Sequence, residues 1–370
     1  EEMPFATPLE HTYDRGDFAR NMDDAMSGSD WDGFEERRVE ARTRGKLRGI
    51  GMASYIEICG RGGPESAQIL FEKPEQITVL IGTQSNGQGH ETAYAQLVAE
   101  RLGVPFDSIH IEQGDTDRIA TGAGTGGSRS IPVGGAALDA AAVVVLDKAR
   151  KVAANAMETA EADLEFSEGV FTVAGTDRQM SLYDVAEAAK DPANLPEGAE
   201  PGLNSMESFK PDGGTYPNGS HICELEIDPE TGMTELVNYV IVDDFGNILN
   251  PIMLEGQVHG GTVQGIGQAL YERTVFDGDG QLLTGSFMDY CLPRATDIPP
   301  IDFSTNVVPC LNNPLGVKGA GEAGAIGACA AVINAICDAL APVGVRTVDM
   351  PATPEAVWTA INQAGKAAAE

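Results

Sequence analysis

Short apolar or alternating runs bounded by Gly, Pro and Glu occur at residues 50–58, 68–71 and 77–81, and each predicts a half-buried strand. A glycine-rich turn then leads into a helical pattern over 90–102, and 108–112 reads as another strand. Residues 133–157 are rich in Ala and Val and predict a helix of about seven turns. Ser181 followed by Asp184 before an Ala-rich run resembles a capping box. Between about 191 and 220 the composition shifts to Pro, Gly, Asn and Ser, the pattern of a long connection between two units. Beyond it, 221–227 and 233–242 flank Asp228-Pro229-Glu230-Thr231-Gly232, which predicts a hairpin. Helical patterns follow at about 255–271, 323–340 and 354–363, the last with Thr353 as N-cap and Pro354 at the first helical position. Residues 1–45 form a polar leading segment with one or two helices, notably around 30–38. The expectation is an α+β chain of two related mixed sheet-and-helix units, residues 46–215 and 216–370.

At 370 residues, two or three packed units are expected. Hydrophobic residues at 42% with 22% charged exclude a disordered polymer, and no run of eighteen apolar residues is found, so the reading is of a soluble chain without a membrane span. A net charge of −32 repels phosphate backbones and excludes nucleic acid as a partner. The acid excess with few lysines also suits a surface hydrated in high salt. The six cysteines show no CxxC pair or metal-ligand rhythm, so they read as buried thiols of a reducing, cytoplasmic compartment. No signal-peptide pattern is visible at the start, and a first residue other than Met reads as a processed or excised piece.

Glycine supplies 44 residues, and three clusters, 82–90, 122–130 and 260–267, are read as lying before or at the start of helices. Such loops bring bare backbone N–H groups to a polar or anionic ligand at the positive end of a helix. None is a P-loop, since no Gly-Lys-Ser/Thr closes it, and any one of them alone reads equally as a tight turn. Gln88, Gln257 and Gln264 beside the glycines offer an uncharged donor and acceptor, suited to a heterocycle edge, whereas Gln84 reads as a capping or surface amide. Glu322 stands among small residues where a long apolar helix begins. It is either a dipole-complementing surface carboxylate or a general base in a tight cleft. His90, His221 and His259 match no local metal spacing and read as hydrogen-bonded or ligand-contacting imidazoles. Gly87-Gln88-Gly89-His90 and Gly256-Gln257-Val258-His259 share a Gly-Gln-x-His that hints at internal duplication.

Taken together, these segments resemble the molybdenum-binding large subunit of the xanthine oxidase family, particularly its carbon monoxide dehydrogenase-like and aldehyde oxidoreductase-like branches. The likeness rests on 87–90, Gly127-Ser128-Arg129-Ser130, Gly256-Gln257 running into 260–267, Met288-Asp289-Tyr290 to Pro293, and Gly319-Ala320-Gly321-Glu322-Ala323-Gly324. It implies a molybdopterin cofactor carrying molybdenum, in bacteria often the cytosine dinucleotide form, with no protein side chain on the metal. Gln88, Gly89 and His90 with Ser128, Arg129 and Ser130 would hold the pterin and its phosphates. Gln257 would lie by the pterin or the metal's oxygens, with Gln264 supporting and Gly321 also on the cofactor, and Glu322 matches the family's general base. The resemblance covers only the C-terminal half of such subunits. It therefore implies as partners an N-terminal half, an iron–sulfur subunit and an FAD subunit, with electrons leaving through the pterin toward those clusters and flavin. The reaction implied is oxidative hydroxylation of a small molecule: an aldehyde, an N-heterocycle or carbon monoxide. Two other readings stay open, a non-catalytic cofactor-binding or assembly module and a structural remnant whose glycines serve close packing alone.

Overall fold

The order of elements follows the hydrophobic pattern closely. The computed structural model describes residues 2–195 and 198–367. A two-stranded ribbon, β1 (Phe5–Ala6) and β2 (Thr12–Tyr13), precedes helices α1 (Phe18–Gly28) and α2 (Phe34–Thr43) and strand β3 (Leu47–Ile56). Then come β4 (Glu65–Lys73), β5 (Gln76–Ile81), α3 (His90–Leu102), β6 (Ile109–Glu112) and α4 (Ala136–Ala156). A small sheet of β7 (Leu164–Ser167), β8 (Val170–Val173) and β9 (Gln179–Ser181) leads to α5 (Leu182–Ala188) and β10 (Ser205–Phe209). The chain continues through β11 (Asn218–Ile227), β12 (Thr234–Asp244), α6 (Pro251–Leu270), β13 (Ile301–Thr305), α7 (Ala323–Leu340) and α8 (Pro354–Ala367).

The chain divides into two compact units, one of Glu1–Glu57, Tyr216–Pro309 and Ala320–Glu370, the other of Ile58–Thr215 and Cys310–Gly319. The partition differs from the boundaries expected at 45/46 and 215/216 in two places. β3 pairs antiparallel with β11 through all ten residues, so residues 47–56 belong with the C-terminal hairpin. Residues 310–319 fold back, with Asn312 Nδ2 donating to Gly214 O at 2.7 Å, and so join the middle of the chain.

Within the 58–215 unit the sheet order is β10-β4-β5-β6, antiparallel except for the parallel β5–β6 pair that α3 connects. In the unit containing β11 the order is β3-β11-β12-β13, again antiparallel except for the parallel β12–β13 pair, with α6 in the connection. Each unit therefore has a hairpin, a helical crossover to a parallel edge strand, and a following helix, α4 or α7, set on the antiparallel strands. The hinted duplication is present as shared topology, with the fourth strand supplied after the hairpin in one unit (β10) and before it in the other (β3). The two Gly-Gln-x-His segments fall on corresponding helices, but one begins α3 and the other lies in the second turn of α6.

Local chemistry explains the ends. Gly89 precedes α3 with φ 77° and Gly103 follows it with φ 62°, left-handed positions that favour glycine. Asn250 Oδ1 accepts from Met253 N at 3.0 Å and Pro251 opens α6. Ser181 and Asp184 form the expected capping box, and Thr353 Oγ1 accepts from Ala356 N. The connection expected over 191–220 contains β10, which alternates buried or half-buried with exposed positions over only five residues and pairs with β4. So short a strand gives too weak a period-two signal beside Pro- and Gly-rich flanks.

Two stretches, Ser130–Ala156 and Ala323–Val343, do have the length and apolar composition of a membrane span, which corrects the expectation that none exists. Both are core helices of their units. α7 packs through Ala328, Ala331, Val332, Ala335 and Ile336 into the core of Leu225, Tyr239 and Ile241. Removing such side chains from water contributes roughly 25 cal/mol per Å².

Candidate functional site

In the 58–215 unit, two glycine loops cross. A Cβ built on Gly82 would lie 2.4 Å from Gly122 Cα, so the loops 82–90 and 122–130 touch backbone to backbone and only glycine fits either side. A buried ion pair locks the crossing. Arg129 Nη1 donates to Glu65 Oε2 at 2.7 Å, with both side chains buried, and Arg129 Nη2 donates to the carbonyls of Gly63 and Pro64. Glu65 also accepts from Ser66 N and Ala123 N. The Arg129 guanidinium is therefore turned inward to hold the loop.

Beneath the loops runs a chain of hydrogen bonds. The Thr83 and Tyr94 hydroxyls are 2.9 Å apart, Tyr94 donates to Ser130 O at 2.9 Å, and Thr125 Oγ1 donates to Gln84 O and lies 3.2 Å from Ser130 Oγ. Burial pushes the Tyr94 phenol well above its usual range, so it stays neutral. Ser128 has φ +51°, and the chain then enters a π-helical turn, Ser130–Gly135, that runs into α4. Such turns concentrate at functional sites. Gln88 Oε1 accepts from Asn86 N, closing the first loop on itself. His90 is buried at the start of α3, and burial lowers its pKa.

Whether these residues suit a large acceptor-rich ligand can be judged from the loop surfaces. Cβ atoms built on Gly87, Gly126 and Gly127 would meet nothing within 4 Å, so the glycines at the crossing are packed while those at the rim are open. Open rim glycines beside two helix starts leave backbone N–H groups accessible, which fits a pterin and its phosphates. Since Arg129 is paired with Glu65, the donors on offer are neutral amides, hydroxyls and an imidazole.

The other unit carries the remaining residues. Gln257, on α6, donates through Nε2 to Gly321 O at 2.8 Å, which ties α6 to the residue before Glu322. Glu322 is the N-cap of α7 and is exposed, its carbonyl accepting from Ala325 N at 3.0 Å and Ile326 N at 3.2 Å. Gln264 is exposed on the solvent side of α6.

The third glycine cluster, expected as a loop at a helix start, lies in the middle of α6. Gly261 and Gly265 face Gly324, Ala325 and Ala328 of α7, with an added Cβ on Gly265 only 2.7 Å from Ala328 Cβ. These glycines let two helices approach. On the opposite side, Gly256 and Gly260 meet nothing within 4 Å. α7 in turn lies directly on β3, where a Cβ on Gly51 would sit 2.2 Å from Ala335 N, and Gly327 leaves room for the His221 ring.

His221 is enclosed, its Nδ1 3.1 Å from Tyr239 Oη and its Nε2 3.7 Å from Asp243 Oδ1. Burial raises the Asp243 pKa. Among the described residues no group of three or more His, Cys, Asp or Glu could hold a metal ion. Of the cysteines, 59, 223 and 310 are buried, 329 and 337 half-buried and Cys291 exposed, so the expectation of six buried thiols is corrected at Cys291. Glu65, Thr83, Tyr94 and Gln113 were not singled out from sequence. Glu65 follows Gly62-Gly63-Pro64, but nothing in that pattern separates it from the other acidic residues among 56.

Comparison with known proteins follows the same lines. A family described as molybdopterin cofactor-binding domain matches residues 24–299. The chain is 36% identical to the nicotine 6-hydroxylase large subunit of Paenarthrobacter nicotinovorans over 96% of its length and 45% of that protein's. It is 35% identical to the carbon monoxide dehydrogenase large chain of Hydrogenophaga pseudoflava, over 98% of this chain and 47% of that one. The solved structure of quinoline 2-oxidoreductase from Pseudomonas putida 86 superposes with a TM-score of 0.91 at 33% identity, covering 98% of this chain and 48% of the other. The chain thus spans a little under half the length of these relatives.

Proposed function

This chain belongs to the molybdopterin cofactor-binding domain family, and from that premise we propose that it supplies the cofactor-holding part and the general base of a molybdenum-dependent oxidoreductase. The observation that carries the reading is the pair of crossed glycine loops, locked by Glu65–Arg129, whose open rim glycines precede the start of α3 and the π-helical turn that runs into α4. Gln88, Gly89, His90, Ser128 and Ser130 hold the pterin dinucleotide, the cytosine form in this reading, through neutral donors and backbone N–H groups. Arg129 holds the loop. On the other unit Gln257 donates to the carbonyl of Gly321, the residue before Glu322, and Gln257, Gly321 and Gln264 are assigned to the cofactor in this reading.

When bound, the cofactor supplies the two-electron oxidation. Glu322, through its carboxylate oxygen, removes a proton from the oxygen that attacks the substrate carbon. The substrate is a small aldehyde, N-heterocycle or carbon monoxide, and the partners are the remaining half of the large chain, an iron–sulfur subunit and an FAD subunit. The names of the relatives support this range: a nicotine hydroxylase and a carbon monoxide dehydrogenase large chain.

Metal and pterin analysis of the chain purified in its native complexes tests the proposal. Molybdenum and pterin together with iron and flavin subunits are expected, and copper beside them would single out carbon monoxide as substrate. A chain in its complexes that holds neither molybdenum nor pterin would overturn the reading. A loaded complex without turnover on any of the three substrate classes would replace it with the non-catalytic binding module.

A further inference from the structure

β5 and β6 are neighbouring parallel strands, so the residues that leave their carboxyl ends, Thr83 and Gln113, emerge side by side at the start of α3. Gln113 Nε2 lies 2.5 Å from Thr83 O, 3.0 Å from Thr83 Oγ1 and 3.2 Å from His90 Nδ1. The end of the amide that faces Thr83 is set by chemistry. A backbone carbonyl can only accept, so the end of the amide that faces Thr83 O is its NH2 group. Three acceptors lie in reach of its two hydrogens; one hydrogen shared by the O and Oγ1 of Thr83 leaves the other for His90 Nδ1, which then offers a lone pair. An imidazolium, or the tautomer protonated on Nδ1, would set N–H against N–H.

We propose that Gln113 is a positioning residue that holds His90 as a neutral imidazole protonated on Nε2. The start of α3 then offers as donors this Nε2–H and the first-turn backbone amides, which no side chain caps. His90 is 4% exposed, and Nε2 has no partner among the described residues. The atom it is built to meet is therefore an acceptor, a carbonyl, ring-nitrogen or phosphate oxygen lone pair, and never a donor. Burial acts in the same direction by disfavouring the charged ring, against the weaker opposing effect of the Glu91 carboxylate. The Tyr94 ring, 5.3 Å away centroid to centroid, is the other group against the imidazole and stays neutral.

This inference rests on the reading that α3 begins at the cofactor cradle, but its test does not need the cofactor. The full chain, labelled with 15N in its five histidines, is examined by long-range 1H–15N spectroscopy, with His90→Gln assigning the resonance. The expected result is an unprotonated Nδ1 and a protonated Nε2 that persist to below the ordinary histidine range. Gln113→Glu, which places an acceptor opposite Nδ1, moves the proton to Nδ1 and raises the titration by about one pH unit or more. A wild-type ring protonated on Nδ1 overturns the proposal, and so does an unchanged spectrum in a folded Gln113→Glu chain. If that variant fails to fold, the wild-type tautomer alone decides. Pterin content of the Gln113→Glu complex is read separately: it falls if His90 meets the pterin. An absence of pterin in the wild-type complex would overturn the proposed function while leaving the tautomer result standing.

Discussion

The two units share an order of strands and helices, yet glycine has a different task in each. In the 58–215 unit the glycines lie in loops: Gly82 and Gly122 cross, Gly87, Gly89 and Gly127 have positive φ, and the rim positions are open. In the unit with β11 the corresponding helices, α6 and α7, carry their glycines inside regular structure. There Gly261, Gly265, Gly324 and Gly327 remove side chains so that backbones and the His221 ring can approach. One unit has glycines that leave loop backbone open, and the other uses glycine to seat the helix that carries Glu322. A count of glycine in a sequence does not separate these two uses, because both follow from the missing Cβ.

Substitutions can sharpen this contrast. The largest stability effect is expected for Arg129→Met, which leaves Glu65 buried and unpaired and costs about 3–5 kcal/mol. Hydrogen exchange should show protection lost over 58–65 and 122–135, and a stable variant with an ordered loop would contradict the locking role. Gly51→Ala comes next. Its Cβ would press on α7 backbone that cannot give, at a cost of about 3 kcal/mol, with protection lost along α7 in denaturant-monitored exchange. A loss of about 1 kcal/mol or less would show α7 to be loosely seated. Gly260→Ala has the opposite sign. A helical glycine facing open space should gain stability of up to about 1 kcal/mol on substitution, while pterin content of the complex falls if that face lines the ligand. Unchanged pterin content would leave the open glycines without a ligand role.

The smallest effect is a pH dependence. His90 has its folded pKa lowered by burial, so the unfolded chain binds the proton more readily. Stability is then fully present above the unfolded value, about 6.5, and is lost as pH falls through the folded one. Urea midpoints compared for wild type and His90→Gln from pH 7 to pH 5 should diverge, and parallel curves would contradict it.

Much of the fold was legible in the sequence where periodicity and capping agreed. The helices over 90–102 and 323–340 lie where their patterns put them, and the turn at 228–232 joins β11 to β12. The helix expected over 255–271 is present as α6, but the cluster at 260–267 within it also reads as a loop at a helix start, because glycine is itself a loop signal. The spacing of Val258, Gly261, Thr262, Gly265, Ile266 and Ala269, all buried, is that of a helix face. Partnership was the part that stayed hidden. Arg129 stands in a motif that suggests an anion ligand, and only the fold reveals Glu65, 64 residues away, as its partner. The same holds for Gln113 and His90, which adjacent strand ends bring together. For Glu322 the sequence locates the helix start.

The most direct test of the account compares wild type with Glu322→Gln in the native complex, measuring molybdenum and pterin content together with turnover. The account predicts unchanged cofactor content, since glutamine keeps the size of the Glu322 side chain and removes only its charge, and turnover reduced by roughly a hundredfold or more. Turnover close to wild type in the loaded Glu322→Gln complex would contradict it.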